Sequence, residues 1–230
     1  MKAMILAAGR GERMRPLTDH IPKPLLKVAG KPLIIYHLES LRAAGITELV
    51  INTSYLGELL PTALGDGRHW GVKIIYSPEP QDALGTGGGI LQALPLLEPE
   101  PFLVINSDIW TDYKFEHMSS LHGLAHLVLV SNPLHHPQGD FSLEDKYFVR
   151  TGLGLERLTF SGISVLRPEL FTGCLPGNFP LGQLILNRMI SKGVVTGEHY
   201  KGKWFDIGTP QRLAELDLEL QASSSRLVHM

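Results

Sequence analysis

The chain has 230 residues, 43% of them hydrophobic, and 21 Lys and Arg against 23 Asp and Glu for a formal charge of −2. That size fits one sizeable α/β domain better than two small ones, and the charge excludes a protein held on nucleic acid by bulk electrostatics. The single cysteine, Cys174, excludes an internal disulfide framework and a cysteine zinc cluster.

The first run, "KAMILAA", reads as a strand of about seven residues, too short for a signal-peptide core with its cleavage site or for a membrane span. A cytoplasmic protein without a membrane partner is the expectation. "ELVINT", "VKIIYS", "PFLVIN", "HLVLVSN" and "LTFSGISVL" read as further strands. Between the first two strands, "PLIIYHLESLRAAGI" carries apolar residues at helical spacing and stops at Gly45, a C-terminal cap. "TGGGILQALPLL", "YKFEHMSSLHGL" and "PLGQLILNRMISKG" read as three more helices, with a Gly-rich start to the first that suggests a ligand. Strands alternating with helices predict a Rossmann-like mixed, mostly parallel sheet flanked by helices, with ligands beyond the carboxyl ends of the strands. Gly9, Thr53, Asp108 and Ser161 fall at or just past such ends. Residues 1–220 are expected to form the domain, and the Ser-rich "QASSSRLVHM" from 221 a disordered tail or an artificial appendage.

"LAAGRGERMRPLTDHIPKPLLKVAGKPL", residues 6 to 33, has the glycines of a phosphate cradle with neither familiar spacing. No Gly-Lys-Ser/Thr closes a Walker A loop after Gly9 or Gly11, and Met14 stands where a dinucleotide fingerprint needs a small residue. Arg10, Arg13, Arg15, Lys23, Lys27 and Lys31 face only Glu12 and Asp19 in this stretch. Backbone N–H groups and several cations together suit a polyphosphate.

Three later stretches carry polar groups at strand ends. Asn106-Ser107-Asp108 closes "PFLVIN", and Asp206 precedes Gly208-Thr209-Pro210, where Thr209 and Pro210 read as the N-cap and first residue of a last helix. Either carboxylate could merely cap a turn, but a pair could hold Mg²⁺, which takes its other ligands from water and phosphate. In "YSPEPQDALGTGGGI", Glu79 precedes four glycines within positions 85–89. This is either a surface turn or a wall approached by a flat base, whose imide N–H a carboxylate can accept.

These four stretches, in this order, resemble the sugar-1-phosphate nucleotidylyltransferases over residues 2 to 220. The likeness rests on Gly-x-Gly-x-Arg-x-x-Pro-x-Thr with Pro-Lys-Pro, then "ALGTGGGI", "NSD" and "WFDIGTP". It implies a Rossmann-like fold with a sugar-binding subdomain roughly within 110–200. It also implies roles: Arg13 and the amides from Gly9 to Gly11 on the β- and γ-phosphates, and Lys23 on the α-phosphate. Asp108 and Asp206 would hold the Mg²⁺. Ala8, Glu79, Gly85 and Thr86 would face base and ribose, and Asn106, Gly152, Glu156, Ser161 and Gly162 the sugar phosphate. "TGGGI" and "TFSGISVL" are most similar to the branch of the family that joins UTP to N-acetylmuramate 1-phosphate in cell-wall recycling. Guanylyl transfer to mannose 1-phosphate and uridylyl or thymidylyl transfer to glucose 1-phosphate are the alternatives. Ser107 departs from the glycine of many relatives, and the absence of their C-terminal assembly region implies a monomer.

The chemistry needs no protein base, because a phosphate monoester with a second pKa of about 6 is already a dianion near neutrality. No Ser-His-Asp or Cys-His arrangement is evident. A nucleotide-sugar glycosyltransferase would carry Asp-x-Asp, whereas Asp108 is followed by Ile109 and Trp110. A module that only senses nucleotide or sugar would need neither both carboxylates nor Lys23. The His135-His136 pair lacks helical metal spacing and reads as surface or supporting residues.

Overall fold

The computed structural model describes residues 1–80, 84–97, 99–118, 123–145, 148–150, 156–190 and 195–228. Its first half runs β1 (Ala3–Leu6), a short hairpin β2 (Lys27–Val28) and β3 (Lys31–Pro32), α1 (Leu33–Ala43), β4 (Glu48–Thr53), α2 (Leu59–Leu64), β5 (Lys73–Pro78), α3 (Gly85–Leu97) and β6 (Phe102–Asn106). The second half adds β7 (Ile109–Thr111), β8 (Ala125–Val130), β9 (Phe141–Glu144), β10 (Phe148–Arg150), β11 (Arg157–Leu166), α4 (Leu181–Ile190), β12 (Val195–Tyr200), β13 (Trp204–Asp206) and α5 (Pro210–Val228).

One nine-stranded sheet, ordered β5-β4-β1-β6-β11-β8-β12-β10-β9, spans the molecule. Its first four strands are parallel, while β11 enters antiparallel between β6 and β8. The chain moves from β1 outward through β4 and β5, then returns to β6 on the other side of β1. That reversal opens a crevice at the carboxyl ends of β1, β4 and β6.

Alternation along the strands buries both faces of the sheet. Ala3, Ile5, Leu49, Ile51, Leu103 and Ile105 pack with Ile34, Ile35, Leu38 and Leu41 of α1, while Met4, Val50, Phe102 and Val104 pack with α3 and α4. Helix α1 ends as its sequence requires: Gly45 takes a left-handed φ of 76° and donates to the Arg42 carbonyl, and Ile46 donates to that of Leu41.

Three local readings change. In "YKFEHMSSLHGL", Phe115–His117 is a 3-10 turn, and 119–122 lie outside the described residues. Ser161 lies inside β11 rather than at a strand end, at a bulge where the register with β8 shifts between Phe160 and Ile163. Helix α5 runs through Val228, past residue 220, where the sequence reading ends the domain. Gln221 donates to Asp217 at 2.6 Å, an i,i+4 pair on this last stretch, and the Ser223 hydroxyl is absorbed by the Glu219 carbonyl at 2.9 Å.

Candidate active site

The loop after β1 is shaped from beneath. Met14 is fully buried with Leu26, Val28, Leu33, Ile207 and Leu216, so the residue that broke the dinucleotide pattern anchors the loop to α1 and α5. Gly11 sits at φ 67°, its carbonyl accepting the Thr18 hydroxyl at 2.8 Å. The Ala29 amide donates to Asp217 at 2.6 Å, tying the β2–β3 turn to α5.

Above this loop lies a cavity of about 570 Å³, lined by Ala8 to Met14, Lys23, Asn52, Glu79, Gly85, Thr86, Asn106, Ser107, Asp108 and Gly208. The six cations of the motif therefore divide. Arg10, Arg13 and Lys23 line the cavity, whereas Arg15 pairs with Asp19 at 2.7 Å, Lys31 with Glu39 at 2.7 Å, and Lys27 is exposed. Arg10 stacks 3.6 Å above the Tyr55 ring and donates to the Thr18 carbonyl. Arg13 alone among these lining cations has no partner among the described residues.

At the far wall Asn52 bridges two elements, accepting the Ala7 amide at 2.7 Å and donating to Glu79 at 2.6 Å. The Leu84 amide donates to the other Glu79 oxygen at 3.2 Å. Each carboxylate oxygen has a second lone pair, so Glu79 can still accept a base N–H. The run of glycines serves packing more than a ligand. A Cβ on Gly87 would strike the Phe179 ring, one on Gly88 the Gly177 carbonyl, and one on Gly89 the Glu79 carboxylate. The Thr86 hydroxyl accepts the Leu181 amide at 2.8 Å and so holds the start of α4.

Lys23 Nζ lies 2.7 Å from Asp108 Oδ2, with the lysine side chain only 10% exposed. Below this turn His37 is buried, facing backbone groups of Ser107 and Ile109. Burial pushes its ring down to about 4, while those backbone groups and the Asp108 charge pull weakly upward. Its Nε2 has no hydrogen-bond partner among the described residues. Ser107 is buried, and its amide donates to the Leu6 carbonyl at 3.1 Å, so the serine is accommodated beside β1.

A second cavity of about 330 Å³ adjoins the first; Arg13, Asn106 and Asp108 line both. Its remaining wall comes from Ile109, His135, His136, Thr159, Phe160, Ser161, Gly162, Trp204 and Asp206. Asp206 arrives through β13, which pairs Asp206 with Ile109, and the Ile207 amide donates to the Asp108 carbonyl at 2.8 Å. Its Oδ2 accepts Arg212 at 2.5 Å and faces His135 Nε2 at 3.1 Å. The Arg212 amide donates to the Thr209 hydroxyl at 3.3 Å, the N-cap contact expected there. On Asp108 and on Asp206 alike, Oδ2 is engaged and Oδ1 has no partner among the described residues, an arrangement that fits two hard ligands for a divalent cation. Among the described residues no group of three or more His, Cys, Asp or Glu could hold a metal by itself.

The bulge gives Gly162 a φ of 82°, and a Cβ there would lie 2.8 Å from Asn106 Nδ2. The Ser161 hydroxyl donates to the Val128 carbonyl at 2.7 Å, and the Trp204 indole to the Ser161 carbonyl at 2.9 Å. Ser161 therefore offers the cavity little beyond its backbone. Glu156 is exposed and lines neither cavity, and Gly152 lies outside the described residues. His135, His136, Asn52 and Arg212 were missed as site residues. The first two stood out only as a pair, and the others become visible through partners distant in sequence.

Four parallel strands of a mixed sheet with a phosphate-type loop at their switch point, opening into a second polar cavity, define a nucleotide-binding α/β enzyme with room for two substrates. Residues 2–130 match the Nucleotidyl transferase family, and the chain belongs to it. It is 54% identical over 222 residues to the N-acetylmuramate alpha-1-phosphate uridylyltransferase of Neisseria meningitidis serogroup B, covering 94% of this chain and 96% of that protein. It is 30% identical over 226 residues to the mannose-1-phosphate guanyltransferase of Schizosaccharomyces pombe, covering 92% of this chain but 62% of the longer protein. In fold it matches HddC from Yersinia pseudotuberculosis with a TM-score of 0.81 at 23% identity, over 95% of this chain and 99% of that one. The protein is thus a nucleotidyltransferase, of a family that generally uses a divalent metal. Among the described residues no helix is long and apolar enough to cross a membrane.

Proposed function

We propose that the chain transfers UMP from UTP to N-acetyl-α-muramate 1-phosphate, releasing pyrophosphate, as a cytoplasmic, Mg²⁺-dependent monomer. One observation carries the two-substrate part of this reading: Arg13, Asn106 and Asp108 belong to both cavities, so two anions seated in them would meet at these residues. The 54% identity to the uridylyltransferase supports UTP and the muramate sugar over the guanylyl alternative, for which the relative is 30% identical.

In this reading the amides around Gly9 to Gly11 and Arg13 bind the leaving phosphates, and Lys23 neutralises charge on the phosphorus under attack. Glu79 accepts the uracil imide, with Ala8, Gly85 and Thr86 beside the base and ribose. Asn106 and the Ser161–Gly162 backbone face the sugar phosphate, whose dianion attacks in line without a protein base. Asp108 and Asp206 would hold Mg²⁺, which when bound neutralises phosphate oxygens and orients them. Lys23 lies against Asp108, so the lysine is pre-aimed at the same point as the metal carboxylate.

Pyrophosphate release tests this, with UTP, dTTP, GTP and CTP crossed against the α-1-phosphates of N-acetylmuramate, N-acetylglucosamine, glucose and mannose. Turnover concentrated on UTP with N-acetylmuramate 1-phosphate is the expected result. A best pair of GTP with mannose 1-phosphate would replace the substrate assignment and leave the family unchanged. Light scattering should give a mass near 25.4 kDa, and twice that value would overturn the monomer.

A further inference from the structure

Resting on the N-acetylmuramate reading, the structure points to a residue that recognises the sugar's distinguishing group. N-acetylmuramate differs from N-acetylglucosamine by a lactyl ether that ends in a carboxylate. A carboxylate entering a half-enclosed cavity needs a donor or a positive charge. Most polar groups on the wall of the second cavity cannot supply one. Asp108 and Asp206 would repel it. The Thr159 hydroxyl donates to Asn132 at 2.8 Å, and Ser161 and Trp204 donate to backbone carbonyls. Arg13 and Asn106 line the first cavity too, where the phosphates of both substrates converge. Among the side chains of this wall, that leaves His135 and His136.

The two imidazoles are tied differently. His135 Nε2 faces Asp206 at 3.1 Å and Arg212 at 2.7 Å, so this ring belongs to the carboxylate that serves the reaction whatever the sugar. His136 Nε2 lies 3.1 Å from Asp140, whose other oxygen accepts the Phe160 amide at 2.8 Å. Asp140 is thereby anchored to β11, and its other oxygen is placed to accept a hydrogen bond from Nε2–H of a ring that is 40% exposed on the cavity wall. Nδ1 of His136 meets no partner among the described residues.

We propose that His136, oriented by Asp140, is the specificity-determining residue that binds the lactyl carboxylate of N-acetylmuramate 1-phosphate. An imidazolium held between Asp140 and that carboxylate has both ring protons hydrogen-bonded, and the neutral hydroxyl of N-acetylglucosamine gains much less there. His135 makes no such distinction, because it acts through Asp206.

The test is the kinetics of UTP with N-acetylmuramate 1-phosphate and with N-acetylglucosamine 1-phosphate, for wild type, His136→Gln, Asp140→Asn and His135→Gln, with melting curves to verify folding. His136→Gln should raise KM for the muramate substrate about tenfold or more while changing the glucosamine substrate by less than about twofold, the effect of losing one charge-assisted hydrogen bond. Asp140→Asn should move the same ratio the same way, and it keeps the question decidable if His136→Gln folds poorly. His135→Gln should slow both substrates alike. Equal losses on both sugars in His136→Gln and Asp140→Asn, or an unchanged preference, would overturn the inference while leaving the substrate assignment standing. A wild-type enzyme that does not favour the muramate sugar would remove both.

Discussion

The wall around Gly9 to Gly11 comes from one loop at the end of β1, whereas the wall around Ser161 gathers residues from β11, β13 and the segment carrying His135 and His136. The first is shaped locally, by a left-handed glycine and a buried methionine within a few residues of each other. The second depends on side chains whose partners lie far away, such as His135 against Asp206 and Trp204 against Ser161. A contiguous loop can bind the phosphates common to every nucleotide, because its amides are spaced by the chain itself. A wall assembled from separate elements can change sugar by changing one side chain. In the proposed reading, chemistry shared by the family and selection particular to one member occupy different parts of the molecule.

Removing either candidate metal carboxylate should break this division most severely. Asp108→Ala and Asp206→Ala are each expected to lower turnover about a thousandfold or more with the fold retained, since a bound metal contributes several kcal/mol to stabilising transition-state charge. Near-normal rates with any sugar would move the metal elsewhere. Lys23→Ala should lower kcat about a hundredfold or more and leave the nucleotide KM nearly unchanged. An effect confined to KM would make the lysine a nucleotide anchor instead.

His37 links the nucleotide side to acid stability. Its folded pKa of about 4 lies below the ordinary 6.5, so the stability tied to its neutral form is complete above 6.5 and is lost as pH falls toward 4. The loss should be on the order of 3 kcal/mol at the acid end, visible in denaturant melts and reduced in His37→Gln. A parallel pH profile in that variant would assign the acid sensitivity to other groups.

Two milder substitutions sharpen the contrast. Gly88→Ala forces a Cβ against the Gly177 carbonyl and should cost about 1–3 kcal/mol of stability. Substrate KM should change little in the folded fraction; a selective loss of UTP binding would restore a ligand role to the glycines. Arg13→Gln should leave melting unchanged and raise KM about tenfold for UTP and sugar phosphate together. A change in only one KM would assign the arginine to a single cavity.

The parts of the site legible in the sequence were those compressed into short runs. The Gly9 to Lys23 loop, Asn106-Ser107-Asp108 and Asp206 could be marked because a strand end, a turn and a charge fall within a few residues of one another. The Thr209-Pro210 start of α5 was legible for the same local reason, as was the Gly45 cap. Met14 was noticed only as a misfit, since burial against Ile207 and Leu216 follows from a helix some 200 residues later. The division of the cations was hidden too: Arg15 and Lys31 carry the same charge as Arg13 but are each paired with a nearby carboxylate.

By itself, the sequence determined the α/β class, the resemblance to its family and the motifs that line the first cavity, because propensity, alternation and turn chemistry act within a few residues. Tertiary structure alone decided that β11 enters antiparallel with a bulge at Ser161–Gly162, that the glycines of α3 make room for Gly177, Phe179 and Glu79, and that His135 and His136 join the wall of the second cavity. Those outcomes depend on steric fit and hydrogen bonds between residues separated by tens of positions, and such pairings exist only once the sheet has assembled.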